Sequence, residues 1–216
     1  MSSNDRHSAL QSPLLAAIAA VTLVMTGPAS AAQEPTAVTQ SAADMAVGVC
    51  GTCHGPDGNS TDPKFPRLAG QHPGYLIRQL KFFKEQTRGD PDAIAYMWGM
   101  AAGLSADTID ALAQYYAQQK VGHGTRHDPA MIAHGRDIFE HGIPAQGVPA
   151  CAACHGPDAL GRDMYPRLAG QHAEYILKQL ASFQSNMRDI AVMHGVAQNL
   201  RTPEMQAVAD YLESLP

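Results

Sequence analysis

At 216 residues the chain has room for one large domain or two of about 100 residues each. With 45% hydrophobic and 16% charged residues, 19 Gly and 15 Pro, it reads as a packed globular protein and not as a disordered, collagen-like or multi-span membrane chain. A formal net charge of −5 supplies no basic field for nucleic acid, and no run of one sign marks a tail.

The first element is an apolar run over residues 14–25, preceded by a polar stretch with Arg6 and followed by Gly27, Pro28 and the small triplet Ala29-Ser30-Ala31. That order is the layout of a secretory signal peptide, and the run is shorter than the ~20 apolar residues a membrane-spanning helix needs. Residues 1–31 are therefore expected to be cleaved after Ala31 or Ala32, which places the mature protein in a periplasm-like compartment. A helix over 41–49 then leads into Cys50-Gly51-Thr52-Cys53-His54. Further helices are predicted over 75–86, with Leu76, Leu80 and Phe83 at helical spacing, and over 105–119, with Ile109, Leu112, Ala113 and Tyr116 on one face and Ser105 as N-cap. Residues 121–129 lack apolar periodicity and read as a linker. Beyond it, Asp128 caps a helix that opens with Pro129 and stops near Gly142. A second Cys motif, Cys151-Ala152-Ala153-Cys154-His155, follows. The last predicted helix takes Thr202 as N-cap and Pro203 at its first position.

The chain repeats itself. Cys50 to Asp57 matches Cys151 to Asp158, and the heptad from Pro66 to His72 is identical to that from Pro166 to His172. Tyr75, Gln79, Leu80, Phe83 and Arg88 recur as Tyr175, Gln179, Leu180, Phe183 and Arg188. A period near 100 residues makes each copy domain-sized and not a solenoid unit. The expected architecture is all-α, with one domain over 32–122 and a second over 123–216. Each copy has few long apolar runs and thus a thin core of its own, so a large apolar group is expected to fill it.

Cys-x-x-Cys-His is the attachment pattern of c-type haem: the two thiols add to the haem vinyl groups and the following His binds the iron. Two Cys three apart sit on one helical turn and reach two vinyls on one edge of the macrocycle. Zinc would want the Cys pairs about 15–20 residues apart, a thioredoxin-like pair would want a βαβ setting, and simple disulfides leave the two His unexplained. The expected cofactor is thus haem c, twice, held by Cys50 and Cys53 with His54, and by Cys151 and Cys154 with His155. For the sixth ligand, alignment of the last helices puts Leu104 on Leu200 and Met97 on Met193. Met97 and Met193 are the candidates, with Met100 and Met187 as alternatives. A ligating His donates its other ring N–H to an acceptor. Pro66 and Pro166, 12 and 11 residues beyond the two His, are placed to offer their carbonyls, or else simply form turns. His72 and His172 are expected at the surface or at helix starts. His123, His127, His134 and His141 are expected at the surface or in a weak adventitious metal site.

These motifs, with Pro-x-Leu-x-Gly and a C-terminal helix, resemble class I c-type cytochromes, and Gly135 and Phe139 match the packing positions of that family's opening helix. The tandem arrangement, the Pro-Arg-Leu-Ala-Gly-Gln wording and Met97-Trp98-Gly99-Met100 are similar to the two-haem cytochrome c4 family. The resemblance implies two His/Met haems, domains related by a pseudo-twofold axis, Pro66 and Pro166 as acceptors from the haem His, and electron transfer toward a terminal oxidase. In the second copy Met193-His194-Gly195-Val196 departs from the quartet. Six-coordinate irons leave no open position for a small-molecule substrate, so the expected function is single-electron transfer between redox proteins, with a quinol-oxidising complex or a dehydrogenase among the donors. Peripheral membrane association stays open. The alternatives are a cytochrome subunit of a flavin-dependent dehydrogenase, or a two-haem peroxidase or thiosulfate-oxidising enzyme.

Overall fold

In the computed structural model, residues 37–216 are described; the expected signal peptide lies outside them. The first half starts with α1 (Ala37–Met45), which continues through a π turn (Ala46–Cys50) into the short α2 (Gly51–His54). Next come α3 (Pro73–Lys84), a second π turn (Ala93–Met97) running into α4 (Trp98–Ala102), and α5 (Ala106–Ala117). The second half repeats the order: α6 (Pro129–His141), a 3₁₀ turn (Pro144–Gln146), α7 (Ala152–His155), α8 (Ala173–Gln184), α9 (Ala191–Ala197) and α10 (Thr202–Ser214). Among the described residues, strand pairing is limited to the isolated bridges Ile143–Val148 and Arg162–Tyr165. No helix there is long and apolar enough to cross a membrane.

The helix ends follow the capping chemistry, with one shift. The Ser105 hydroxyl accepts from the Thr108 amide at 3.1 Å, and the Asp128 carboxylate takes the Ala130 and Met131 amides at 2.8 and 3.2 Å. At α10 the N-cap is Arg201, not Thr202, and Glu204 accepts from the Arg201 amide at 2.7 Å. The capping box of Glu204 thus sets the start one residue earlier than the Thr-Pro pattern implied.

In each half the first and last helices cross at close range. A β-carbon on Gly135 would lie 1.9 Å from the Ala207 carbonyl oxygen, so only glycine lets α6 approach α10 this closely. Phe139, fully buried on α6, packs against Tyr211 with ring centroids 5.6 Å apart. In the first half the same role falls to the small, buried Ala42 and Ala46 against Leu112, Ala113 and Tyr116. The Gly70 amide donates to Tyr116 O and the Gly170 amide to Leu212 O, both at 2.9 Å, which confirms the repeat register through the last helix.

The halves meet in a reciprocal set of bonds. Gln171 Oε1 accepts from the Arg67 amide at 2.8 Å and Gln71 Oε1 from the Arg167 amide at 2.8 Å, while each Gln side-chain amide donates back to the opposite Arg carbonyl at 2.9 Å. Deeper in the interface, Arg88 reaches Gln179 at 2.8 Å and Tyr175 at 3.2 Å, and Arg188 reaches Gln79 at 2.9 Å and Tyr75 at 2.8 Å. The recurrence of Tyr75, Gln79 and Arg88 in the sequence is therefore the signature of this pseudo-twofold contact.

Candidate functional site

The site in each half is built on one helical turn, a Pro-bearing loop and a Met-bearing helix. His54 ends α2 and is only 7% exposed, with Nδ1 2.9 Å from the Pro66 carbonyl. His155 ends α7, is likewise 7% exposed, and has Nδ1 3.1 Å from the Pro166 carbonyl. A carbonyl only accepts, so each Nδ1 carries the proton and each Nε2 is left with its lone pair available. Burial pushes both imidazoles below the ordinary histidine value, against the Pro carbonyl, which favours the charged ring. Each ring is thus a neutral ligand with its orientation fixed. Phe65 lies edge-on to His54 and Tyr165 edge-on to His155, both at 6.2 Å between centroids.

The four cysteines form no disulfide with one another and lie partly buried beside these His. Burial raises the Cys50 thiol above its usual value and pushes Cys151 up to about 11. Among the described residues no group of three or more His, Cys, Asp or Glu is arranged to hold a bare metal ion. Half-buried thiols beside a neutral His with a spare nitrogen, inside domains whose own apolar cores are small, fit a covalently attached haem.

Met97 closes the second π turn and is half-buried against the cluster of Phe83, Ala93 and Ala101. Met193 sits half-buried inside α9. The residue after each Met ties its helix to the chain at the end of the preceding long helix: Trp98 Nε1 donates to Arg88 O at 2.8 Å, and His194 Nδ1 donates to Phe183 O at 2.9 Å. The alternatives lie in the open, with Met100 46% and Met187 52% exposed.

The recurring histidines stand at helix starts, one of the two places expected for them, and the structure adds contacts the sequence did not show. His72 and His172 are the N-cap residues of α3 and α8, but His172 is only 4% exposed and both reach across the domain interface. His127 is not a free linker side chain: its Nε2 is 2.8 Å from Glu213. The recurrence of the two His was the available signal; the helix-start position could be read from the turn before each, and the contacts across the interface could not.

The family model Cytochrome c matches residues 41–120 and again 132–216, so the chain is a c-type cytochrome in duplicate. It is 39% identical over 206 residues to cytochrome c4 of Stutzerimonas stutzeri, covering 90% of this chain and 95% of that one. The crystal structure of reduced recombinant cytochrome c4 from Pseudomonas stutzeri superposes with a TM-score of 0.74 at 38% identity, covering 86% of this chain and 100% of that one. A thiosulfate dehydrogenase electron acceptor of Thiomonas intermedia is 36% identical over 183 residues, covering 82% of each chain. The chain belongs to the cytochrome c4 family, whose members are two-haem electron-transfer cytochromes, and it carries two covalently bound c-type haems.

Proposed function

We propose that the mature protein, exported by residues 1–31 to the periplasm, passes single electrons between redox proteins through one haem in the domain over 32–122 and one in the domain over 123–216. Cys50 and Cys53, and Cys151 and Cys154, hold the two haems by thioether bonds. His54 and Met97 bind one iron, and His155 and Met193 the other. Pro66 and Pro166 accept the Nδ1 proton and keep each His ring turned to its iron. When bound, the haem supplies a reversible one-electron couple, and a thioether ligand raises its potential. The observation that carries this reading is the His–Pro bond made in both halves, which leaves Nε2 as the one ligating atom of each buried ring. With a half-buried Met available to each half, neither iron has an open position for a substrate, so the protein is a carrier and not an oxidising or peroxide-reducing enzyme.

Similarity to electron acceptors of thiosulfate dehydrogenase supports a dehydrogenase as donor, with a terminal oxidase as the eventual acceptor. The test is an optical spectrum with a pyridine haemochrome count. Two haems per chain, a sulfur-to-iron band at the red edge that vanishes on reduction, and no reaction with carbon monoxide are expected. Met97→Ala and Met193→Ala should each remove half of that band and let one haem bind carbon monoxide. A wild-type protein that already binds carbon monoxide at one haem would overturn the carrier reading and make catalysis the better one.

A further inference from the structure

We propose that His172 is a buried imidazolium whose two ring protons clasp the domains together, a positioning residue for electron passage between the two haems that the proposed function assigns. His172 Nδ1 lies 3.2 Å from Glu213 Oε1, and its Nε2 lies 2.9 Å from the Ser60 carbonyl of the other domain. Both partners are acceptors. Ser60 Oγ, 3.4 Å from Nε2, has a single proton and nearer carbonyls for it at Asp62 and Phe65, 2.8 and 2.7 Å away. A neutral ring would therefore turn a lone pair on either the carboxylate or the carbonyl, and only the doubly protonated ring satisfies both contacts.

Glu213, itself 5% exposed, is the counter-charge. Burial opposes its ionisation, but the Ala173 amide at 3.0 Å and the His127 and His172 rings outweigh that and hold its carboxyl below the ordinary glutamate range. The charged groups facing the pair are Glu213 and Asp210 from α10, His127 and His123 from the linker, Arg67 from the first domain and Glu174 from α8, around a cleft of about 860 Å³. The ionised Glu213 contributes only above its lowered value, and its side of the clasp is lost as pH falls through it. The first domain supplies the contrast: His72 Nε2 meets only the Leu160 carbonyl, at 2.9 Å, and Ala117 stands at the position of Glu213, so one N–H suffices.

Nitrogen-15 spectra of the reduced, diamagnetic holoprotein at neutral pH should show two protonated nitrogens on His172 and one on His72. In Glu213→Gln, His172 should drop to one, and exchange of the Ala173 amide should quicken by about tenfold. Wild-type His172 with one proton, or Glu213→Gln with two, overturns the imidazolium; neither reading depends on how the irons are ligated. His172→Gln, which still offers one N–H to Ser60, should flatten the pH dependence of the separation between the two haem potentials. An unchanged pH profile in that variant would overturn the positioning role and leave the carrier function standing.

Discussion

In the first domain the chain runs helically from Ala37 to His54, and the π turn Ala46–Cys50 rotates the Cys motif relative to the face that packs on α5. In the second, α6 ends at His141 and the chain loops back through Pro144–Gln146 before α7 presents the equivalent turn. A single α-helix cannot keep Ala42 and Ala46 on α5 and also aim Cys50, Cys53 and His54 inward unless its phase slips, and one wide turn supplies that slip. The other π turn, Ala93–Met97, ends on the proposed Met ligand, while Met193 lies on a regular helix. The cores differ in the same direction. The second domain buries Phe139, Ile138, Val148, Met205 and Leu212 in one contiguous cluster, whereas the first relies on alanines around Leu76, Leu112 and Tyr116, with Phe83, Ala93 and Ala101 as a separate cluster. The first domain therefore owes more of its stability to the haem than the second does.

The largest effect that follows is from preventing attachment. Cys50→Ala/Cys53→Ala should leave the first domain unfolded, and Cys151→Ala/Cys154→Ala should leave the second with much of its helix content, read by hydrogen exchange on each half. Equal loss in the two variants would break the comparison. Next is the buried arginine pair, alike in sequence but not in partners. Arg88 pairs with Asp90 at 2.7 Å, both nearly fully buried, while Arg188 meets only the neutral Gln79, Gln179 and Tyr75. Arg88→Met strips Asp90 of its bonded partner and should cost about 3–5 kcal/mol; Arg188→Met loses hydrogen bonds and a longer-range attraction to Asp90 and should cost less, about 1–2 kcal/mol. Burial opposes ionisation of Asp90, and the Arg88 guanidinium more than offsets it, holding the carboxyl below the usual aspartate range. The pair thus stabilises the fold at neutral pH and fails as pH falls through that lowered value, whereas Arg88→Met should become more stable on acidification. Denaturation of the holoprotein against pH separates the two slopes.

Gly135 and its counterpart Ala42 sharpen the same contrast at smaller cost. Gly135→Ala drives a methyl into the Ala207 carbonyl and should destabilise the second domain by about 1–3 kcal/mol, measured by chemical denaturation. Ala42 already carries that methyl where α1 meets α5, so the first domain tolerates it.

The repeat, the helical class, the Cys and His turns and the Pro loops could all be read from the chain, because each depends on local spacing repeated twice. The routes between them were less legible. A π turn leaves no periodic mark over five residues, and the helix predicted from 41 begins at Ala37 because alanine and polar residues support a helix without an apolar stripe. The His172 contacts were hidden for another reason. Gln171 and His172 look like a polar turn, and part of what covers them comes from the opposite domain, with Ser60 lying 112 residues away in the chain. Glu213 gave no warning either, since a lone acid in a last turn usually faces water.

The smallest predicted effect lies at the turn after each Cys motif, where Gly58 and Ala159 occupy the same position, both at positive φ, 77° and 54°. The Gly58 carbonyl takes the Leu68 amide at 2.7 Å, and Ala159 takes Leu168 at 2.8 Å, so the backbone job is the same. A β-carbon on Gly58 would lie 2.7 Å from the Tyr116 ring and 2.8 Å from the Ala69 amide nitrogen, while at the equivalent place in the second domain Leu212 replaces the tyrosine and the Ala159 methyl is fully buried. Gly58→Ala should therefore cost about 1–3 kcal/mol, and adding Tyr116→Leu should recover part of it in a double-mutant cycle. Ala159→Gly relieves about 1 kcal/mol of left-handed strain but gives up about 0.8 kcal/mol of buried methyl and loosens the unfolded chain, so its net change should fall within about 0.5 kcal/mol of zero. A large loss in Ala159→Gly would show that the methyl, and not the backbone, sets the stability of that turn, and the two domains would then differ in packing where their hydrogen bonds are the same.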